Sequence, residues 1–255
     1  MEKEKELPLW EVGLGVAPIV FSNYRGADQQ TTYVLPLPYI IYRGNLLKVD
    51  RSGPRGVLFD TERLELNISF DVAPPVDSND NDARAGMDDL DATVQIGPIL
   101  KVQLTEEDAD LPLRLNLPLR TVIATDFTHV EHVGWVLHPQ MWLDLPKLHG
   151  WGTSIGVGPI FADEGYHDYY YGVSPDFATA SRPAYKGKAG YSGSSVLMGT
   201  SRRFGPLWVG AFLRYDNLTG AAFEDSPLVE TKHAFIAGAG IAWIFWRSEE
   251  RVSAQ

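Results

Sequence analysis

Cysteine is absent from this 255-residue chain, and that absence removes disulfide scaffolds, CxxC redox motifs, thiolate zinc sites and cysteine nucleophiles together. Basic residues are scarce beside acidic ones, 22 against 33, giving a formal charge of −11 and a pI near 5.0. A duplex binder needs a Lys/Arg face to displace counterions, and no arginine-rich run supplies one, so nucleic acid is excluded as a partner. Long hydrophobic runs are missing too: no stretch approaches about 18 apolar residues, which rules out a transmembrane helix. The mean hydropathy of −0.14 reads as soluble, but that inference is unsafe. A membrane β-strand needs only about 9–11 residues with every second one apolar, so a barrel sits in a bilayer with unremarkable average hydropathy.

What the chain does have is a period of two. From Trp10 onward, Trp10, Val12, Leu14 and Val16 alternate with Glu11, Gly13, Gly15 and Ala17, the signature of a strand with one apolar face. Leu64, Leu66, Ile68 and Phe70 oppose Glu65, Asn67, Ser69 and Asp71, and Leu111, Leu113, Leu115, Leu117 and Leu119 oppose Arg114, Asn116 and Arg120. The pattern recurs around Val94–Leu104, Trp135–Leu145, Trp151–Phe161, Leu207–Tyr215 and Phe235–Phe245. These segments run to about 10–13 residues, whereas soluble strands usually run to about 5–6.

Which face lies inside decides the class. A soluble sandwich would show water a face rich in Lys and Glu; here the non-apolar face is rich in Gly, Ser, Asn and Gln. Its charges are Glu65, Asp71, Arg114, Arg120, Asp144, Arg214 and Asp216, of both signs, as in a crowded polar lumen where buried charges must find partners. Aromatics at segment ends, such as Trp10, Tyr33, Tyr39, Trp135, Trp151 and Trp243, suit an interfacial belt. Pro36, Pro38, Pro98, Pro118, Pro139 and Pro159 fall within the runs and predict bulges, strand ends or irregular pairing, since each removes a ladder donor.

The expected fold is all-β: a closed antiparallel transmembrane β-barrel of about 12 strands with short periplasmic turns and long extracellular loops. Connections near 43–45, 60–63, 105–110, 146–150 and 204–206 are short, while 22–32, 73–91, 125–132, 163–189 and 218–232 are mostly long. Short and long alternate only if 45–59 forms two short strands with a turn around Ser52, Gly53 and Pro54; ten spanning strands plus a folded-in hairpin is the alternative. Residues 9–246 then form one barrel domain and 247–255 a polar tail. Residues 1–8, MEKEKELP, lack the apolar core of a secretory signal. Alone they read as a cytoplasmic start; on a barrel they become a periplasmic segment whose signal has been removed.

The motifs resemble a known family. Gly13-Leu-Gly-Val-Ala-Pro18, Tyr24-Arg-Gly-Ala-Asp28, Val34-Leu-Pro-Leu-Pro-Tyr39 and Tyr42-Arg43-Gly44 resemble the opening of the MipA/OmpV family of Gram-negative outer-membrane proteins. Tyr170-Tyr-Gly-Val-Ser-Pro175 with Pro183-Ala-Tyr185 and Gly190 is similar to its middle motif, and Arg214-Tyr-Asp-Asn-Leu-Thr-Gly-Ala-Ala-Phe-Glu-Asp-Ser-Pro-Leu-Val229 to its closing one. The resemblance implies an outer-membrane barrel made with a signal peptide and surrounded by lipid and lipopolysaccharide. It also implies a scaffold role toward a lytic murein transglycosylase and a penicillin-binding synthase, with links to envelope stress and adhesion. It implies no catalytic residues and no cofactor. Such barrels usually finish on an aromatic, as Phe245 or Trp246 would be; here 247–255 continues.

Residues 77–91, DSNDNDARAGMDDLD, carry Asp77, Asp80, Asp82, Asp88, Asp89 and Asp91 against Arg84. The plain reading is a solvated, mobile, like-charged loop. The functional one is capture of a cationic peptide or polycationic antibiotic, assisted by Asp163, Glu164, Asp168, Glu224 and Asp225. Asp77, Asn79, Asn81 and Asp88 fall at EF-hand-like positions, but Asp82 replaces the required Gly and a bidentate Glu is missing. His129 and His132, three apart, lack a third ligand and read as ordinary loop histidines, while Ser192, Ser194 and Ser195 offer nothing to single out a hydrolase nucleophile. The reading is therefore a non-enzymatic barrel, metal-free, acting as a scaffold. A sensor of cationic peptides and a small cation-preferring channel are the alternatives.

Overall fold

The computed structural model describes residues 6–44, 47–50, 53–61, 63–106 and 109–253. In chain order the strands are β1 (Glu6–Pro8), β2 (Trp10–Ser22), β3 (Gln30–Arg43), β4 (Leu47–Asp50), β5 (Gly53–Asp60), β6 (Leu64–Ala73), β7 (Ala92–Gln103), β8 (Leu113–Thr125), β9 (Val130–Leu137), β10 (Gln140–Leu148), β11 (Trp151–Ala162), β12 (Gly190–Phe204), β13 (Leu207–Asn217), β14 (His233–Arg247) and β15 (Arg251–Ser253). One helix, α1 (Glu164–Tyr171), lies between β11 and β12.

Every neighbouring pair is antiparallel, and the ladder returns on itself: β14 pairs with β2, while β8 and β11 each pair with both β9 and β10. β9 and β10 thus share one place in the wall, which gives twelve strand positions in a closed ring. The two short strands expected within 45–59 are present as β4 and β5, with Asp50 opposite Gly53; Asn45 and Ser52, and residues 1–5, 62, 107–108 and 254–255, lie outside the described residues. β1, β15 and the β10–β11 and β12–β13 turns stand at one end and the long β6–β7, β11–β12 and β13–β14 loops at the other, which makes the latter extracellular. At the periplasmic end β1 pairs with β15, joining segments that the sequence presents only as polar tails.

Burial settles the faces. Glu11, Asn67, Ser69, Asn116, Ser195 and Asp216 are buried, whereas Leu14, Val16, Leu119, Val196, Ile241 and Trp243 are exposed to what must be lipid. The inner wall is not uniformly polar. Register carries Ile19, Tyr33, Leu35, Leu37, Tyr39, Trp208 and Phe212 inward on β2, β3 and β13, so Tyr33 and Tyr39 leave the interfacial belt and face the lumen. Tyr39 packs on Trp208 with ring centroids 5.9 Å apart.

Four of the six prolines mark irregular pairing or strand ends, whereas Pro36 and Pro38 lie in an unbroken β2–β3 register. Pro139 separates β9 from β10, Pro159 stands at the register shift in β11, and Pro98 lies in the stretch where the β7–β8 ladder skips, which Pro118 borders. Close approach explains one glycine beside them: a Cβ on Gly158 would lie 1.9 Å from the Pro139 carbonyl oxygen.

Candidate functional site

Two structures occupy the lumen, an extracellular cap and ion pairs beneath it. Four loops build the cap. Tyr24 and Ala27 come from the β2–β3 loop, Val76 and Leu90 from the β6–β7 loop, Tyr171 and Val173 from α1 and its exit, and Leu218, Ala221, Phe223 and Leu228 from the β13–β14 loop. Together they form a buried apolar cluster outside the strand ladder. Directional bonds lock it: Tyr24 Oη donates to the Leu228 carbonyl at 2.7 Å, Tyr171 Oη to the Arg25 carbonyl at 2.8 Å, and Ser226 Oγ to the Tyr171 carbonyl at 2.7 Å. Burial pushes the pKa of Tyr24 and Tyr171 up, so both phenols remain donors.

Helix α1 starts where Asp163 accepts the Tyr166 N–H at 3.0 Å, the usual role of an aspartate N-cap. Its Tyr166 packs with Val122, Ala124, Val133, Val136, Ile160 and Ala162 on the inner wall of β8, β9 and β11, so the helix sits inside the barrel mouth.

The acidic segment 77–91 is folded rather than mobile. It makes two 3-10 turns, Ser78–Asp80 and Asp82–Arg84, capped by Asp77 and Asn81. Asp89 accepts the Ser78 N–H at 2.7 Å, and buried Arg84 donates to the Asp88 carbonyl at 3.0 Å. Arg182 reaches over from beyond α1 to the Ala83 and Ala85 carbonyls. Asp77 and Asn81, two of the four would-be calcium ligands, therefore each use a side-chain oxygen as a cap. Of the neighbouring carboxylates, Glu164 pairs with Lys186 at 2.6 Å, Asp168 accepts the Gly187 N–H at 2.9 Å, and Glu224 holds Lys232 and the Gly220 N–H. Asp80, Asp82, Asp88 and Asp225 are exposed, and Asp91 is half-buried.

Below the cap the inward charges meet in pairs. Arg120 faces Asp71 at 3.6 Å, Arg114 faces Asp144 at 3.6 Å, Glu65 holds Lys101 at 2.9 Å, and Arg214 holds Asp216 at 3.1 Å. Sequence reasoning missed Arg25, which descends from the cap to Asp216 at 3.4 Å. It lies within the Tyr24–Asp28 motif, where its neighbours Gly26 and Ala27 signal a tight loop but nothing signals its target. Also missed was His138, whose Nε2 lies 2.8 Å from Ser195 Oγ; no carboxylate bonds its other ring nitrogen among the described residues.

At the periplasmic end, buried Glu11 accepts from Arg43 at 2.8 Å and from Arg203. A pocket of about 410 Å³ opens beside it, lined by Glu6, Glu11, Arg43, Arg203, Arg247 and Arg251 among others. Four guanidinium groups against two carboxylates make the lining of this pocket cationic, on a protein whose net charge is acidic.

The chain is similar to known outer-membrane proteins. YiaT, an Escherichia coli (strain K12) protein whose name calls it an outer membrane protein, is 24% identical over 233 residues, covering 88% of this chain and 86% of its own. Among solved structures, the COG4313 outer membrane channel from Pseudomonas putida F1 aligns over 96% of this chain and 99% of its own, with a TM-score of 0.42 and 13% identity. A Pseudomonas aeruginosa FadL homologue aligns over 82% and 60%, with a TM-score of 0.33 and 8% identity. Residues 14–245 match the family described as MltA-interacting protein MipA, and the chain therefore belongs to the MipA family of outer-membrane β-barrel proteins.

Proposed function

We propose that this protein is a non-enzymatic, non-conducting interaction platform of the outer membrane, holding a peptidoglycan-remodelling lytic transglycosylase, and through it a penicillin-binding synthase, at its periplasmic rim. The observation that carries the non-conducting part is the cap: Tyr171, Leu218, Phe223 and Leu228 are fully buried in a core made by the extracellular loops. A porin keeps its loops hydrated around an open path; a loop cluster with its own apolar core closes one. The partner part draws support from the family description, MltA-interacting protein. It also draws on the pocket beside Glu11, where Arg43 and Arg203 are held by Glu11 and Arg247 and Arg251 remain to meet carboxylates of a partner. Among the described residues no carboxylate orients the His138 imidazole beside Ser195 for nucleophilic catalysis.

Two measurements test the reading. Recording in planar bilayers is expected to give no reproducible conductance steps; a steady cation-selective conductance would replace the platform with a channel. Affinity capture from solubilised envelopes is expected to retain a lytic transglycosylase with the wild-type chain and to lose it with the Arg247→Glu, Arg251→Glu variant. Equal recovery on both would remove the rim from the interface.

A further inference from the structure

The barrel wall contains a gap. The β4–β5 hairpin stands between β3 and β6, and its ladder with β3 is confined to Tyr42 opposite Val49 and Arg43 opposite Lys48. On its other side, β5 meets β6 only between Glu65 and Ile68. Above the hairpin, residues 30–41 of β3 and 69–73 of β6 have no strand on their facing edges among the described residues. Two intervening strands hold β3 and β6 three interstrand spacings, about 14 Å, apart at the level of the hairpin.

Both edges carry the chemistry of a free edge. Arg43 donates its N–H toward Leu9, and the Ser248 N–H bonds the Trp10 carbonyl on the opposite side. The odd-numbered residues of β3 therefore aim their amides at β2, and the even-numbered ones aim theirs at the gap. Those even positions are Gln30, Thr32, Val34, Pro36, Pro38 and Ile40, and the two prolines place no N–H where there is no acceptor. On β6 the Val72 N–H is taken by the neighbouring Asp71 side chain at 2.9 Å.

Exposure shows what lies behind the gap. Tyr33 and Leu35 point inward, opposite Ile19 and Ala17, yet are 40% and 43% exposed, while inward Ile41 below them is 8% exposed. Phe21 stacks on Tyr33 with centroids 5.6 Å apart. The outward lips, Val34, Phe70 and Val72, are apolar and exposed. Overhead, Asp82 donates its N–H to Gln29 and Asn23 donates to the Asp80 carbonyl, so the β6–β7 loop roofs the opening and leaves the side as its approach.

We propose that this gap is a lateral binding site for a single-chain amphiphile drawn from the bilayer. Its tail lies along Phe21, Tyr33 and Leu35, and its polar head reaches the Asp71–Arg120 pair, whose Asp71 side chain is 48% exposed. A peptide strand is the competing occupant of an open edge. Pro36 and Pro38 oppose it, because they remove two donors that an added strand would need.

The absence of native cysteine permits a clean test. A bimane fluorophore is placed at Leu35→Cys (inward, at the gap), Val34→Cys (outward) or Gly199→Cys (inward, on β12, where a Cβ meets nothing within 4 Å). Each protein goes into phosphatidylcholine nanodiscs containing lysophosphatidylcholine spin-labelled in mid-chain. Quenching at position 35 is expected to approach that at 34 and to exceed that at 199 several-fold. The Val34 reporter certifies insertion for every sample. Quenching at 35 no greater than at 199 overturns the proposal, whether because neither is reached or because the whole lumen is flooded. Repeating with the label on a two-chain phosphatidylcholine is expected to quench 34 and spare 35; equal quenching at 35 would overturn the single-chain specificity. Tyr33→Glu is expected to abolish the quenching at 35 while leaving that at 34 unchanged, and unaltered quenching at 35 would overturn the assigned shelf.

Discussion

Tyr171 and Phe223 stack face to face, with ring centroids 3.6 Å and planes 5° apart, and thereby join α1 to the β13–β14 loop. Both rings are buried, and His167 packs on Phe223 at 4.8 Å. Phe223→Ala removes the shared ring of this cluster. It is expected to cost about 3–5 kcal/mol if the cap and wall unfold together, measured by denaturant titration in detergent. In planar bilayers the variant is expected to show intermittent conductance absent from the parent; a silent variant would place the seal below the cap.

The Glu11 carboxylate is buried between Arg43 and Arg203. Glu11→Ala strands two guanidinium groups at the periplasmic end and is expected to destabilise the barrel, by less than the about 3–5 kcal/mol of a fully buried pair because both groups keep some solvent. Glu11→Gln keeps an acceptor and is expected to lose less. Heat-modified mobility on gels, read as the temperature at which the compact band disappears, orders the three proteins.

The wall was far more legible than what fills it. Period-two alternation in stretches such as Leu64–Asp71 predicts strands because a lipid-facing position must be apolar whatever its partner. The alternation of short and long connections then predicts two strands at 45–59, seen as β4 and β5. Sequence gave poorer access to the inner wall, because an inward residue answers to a specific neighbour across the lumen rather than to a uniform medium. Tyr33 and Tyr39 look like belt aromatics until register turns them inward. Arg25 looks like a loop arginine until the chain brings it to Asp216, 191 positions away. The acidic run looked mobile by charge count, since nothing local reveals that Asp77, Asn81 and Asp89 would be used as caps.

That division of labour within the acidic loop is testable. Asp77→Ala removes an N-cap, an effect of about 1 kcal/mol, and is expected to raise proteolysis within 77–91. Asp80→Asn with Asp82→Asn and Asp88→Asn is expected to leave proteolysis unchanged, because these side chains are exposed. If the loops take cationic peptides, calorimetry should show the triple variant binding a polycationic peptide more weakly in low salt.

Acidity should act on the cap through two glutamates of opposite sense. Burial, and then the charge of Asp28, raise the Glu230 pKa above its ordinary value. The folded cap therefore holds that proton more tightly than the open one, and the stabilisation present in acid is lost as pH rises through the raised value. Hydrogen bonds from Lys232 and the Gly220 N–H lower the Glu224 pKa, so its contribution is present above the ordinary value and lost as pH falls through the lowered one. Hydrogen exchange across 218–232, followed from roughly pH 4 to pH 7, is expected to show Glu230→Gln flattening the loss of protection on the rising side. A profile identical to the parent's would remove Glu230 from the cap's response.

The seat of α1 depends on a missing side chain. Gly134 of β9 has φ +145°, and a Cβ there would fall 2.3 Å from Asp163 Oδ1 and 2.5 Å from the Tyr166 nitrogen. Those two atoms are the cap and first bonded amide of the helix, so Gly134→Ala cannot keep both the N-cap and the contact with the wall. It also strains a backbone conformation that residues with a side chain rarely adopt. The expected outcome is faster amide exchange over Tyr166–Tyr171 with protection of the β12–β13 ladder unchanged, because that ladder shares no atom with the displaced helix start. Gly199→Ala is the control: its Cβ meets nothing within 4 Å, and exchange should match the parent throughout. Loss of protection in both variants would mean that glycine content alone, rather than the fit of α1 against Gly134, sets the order of the mouth.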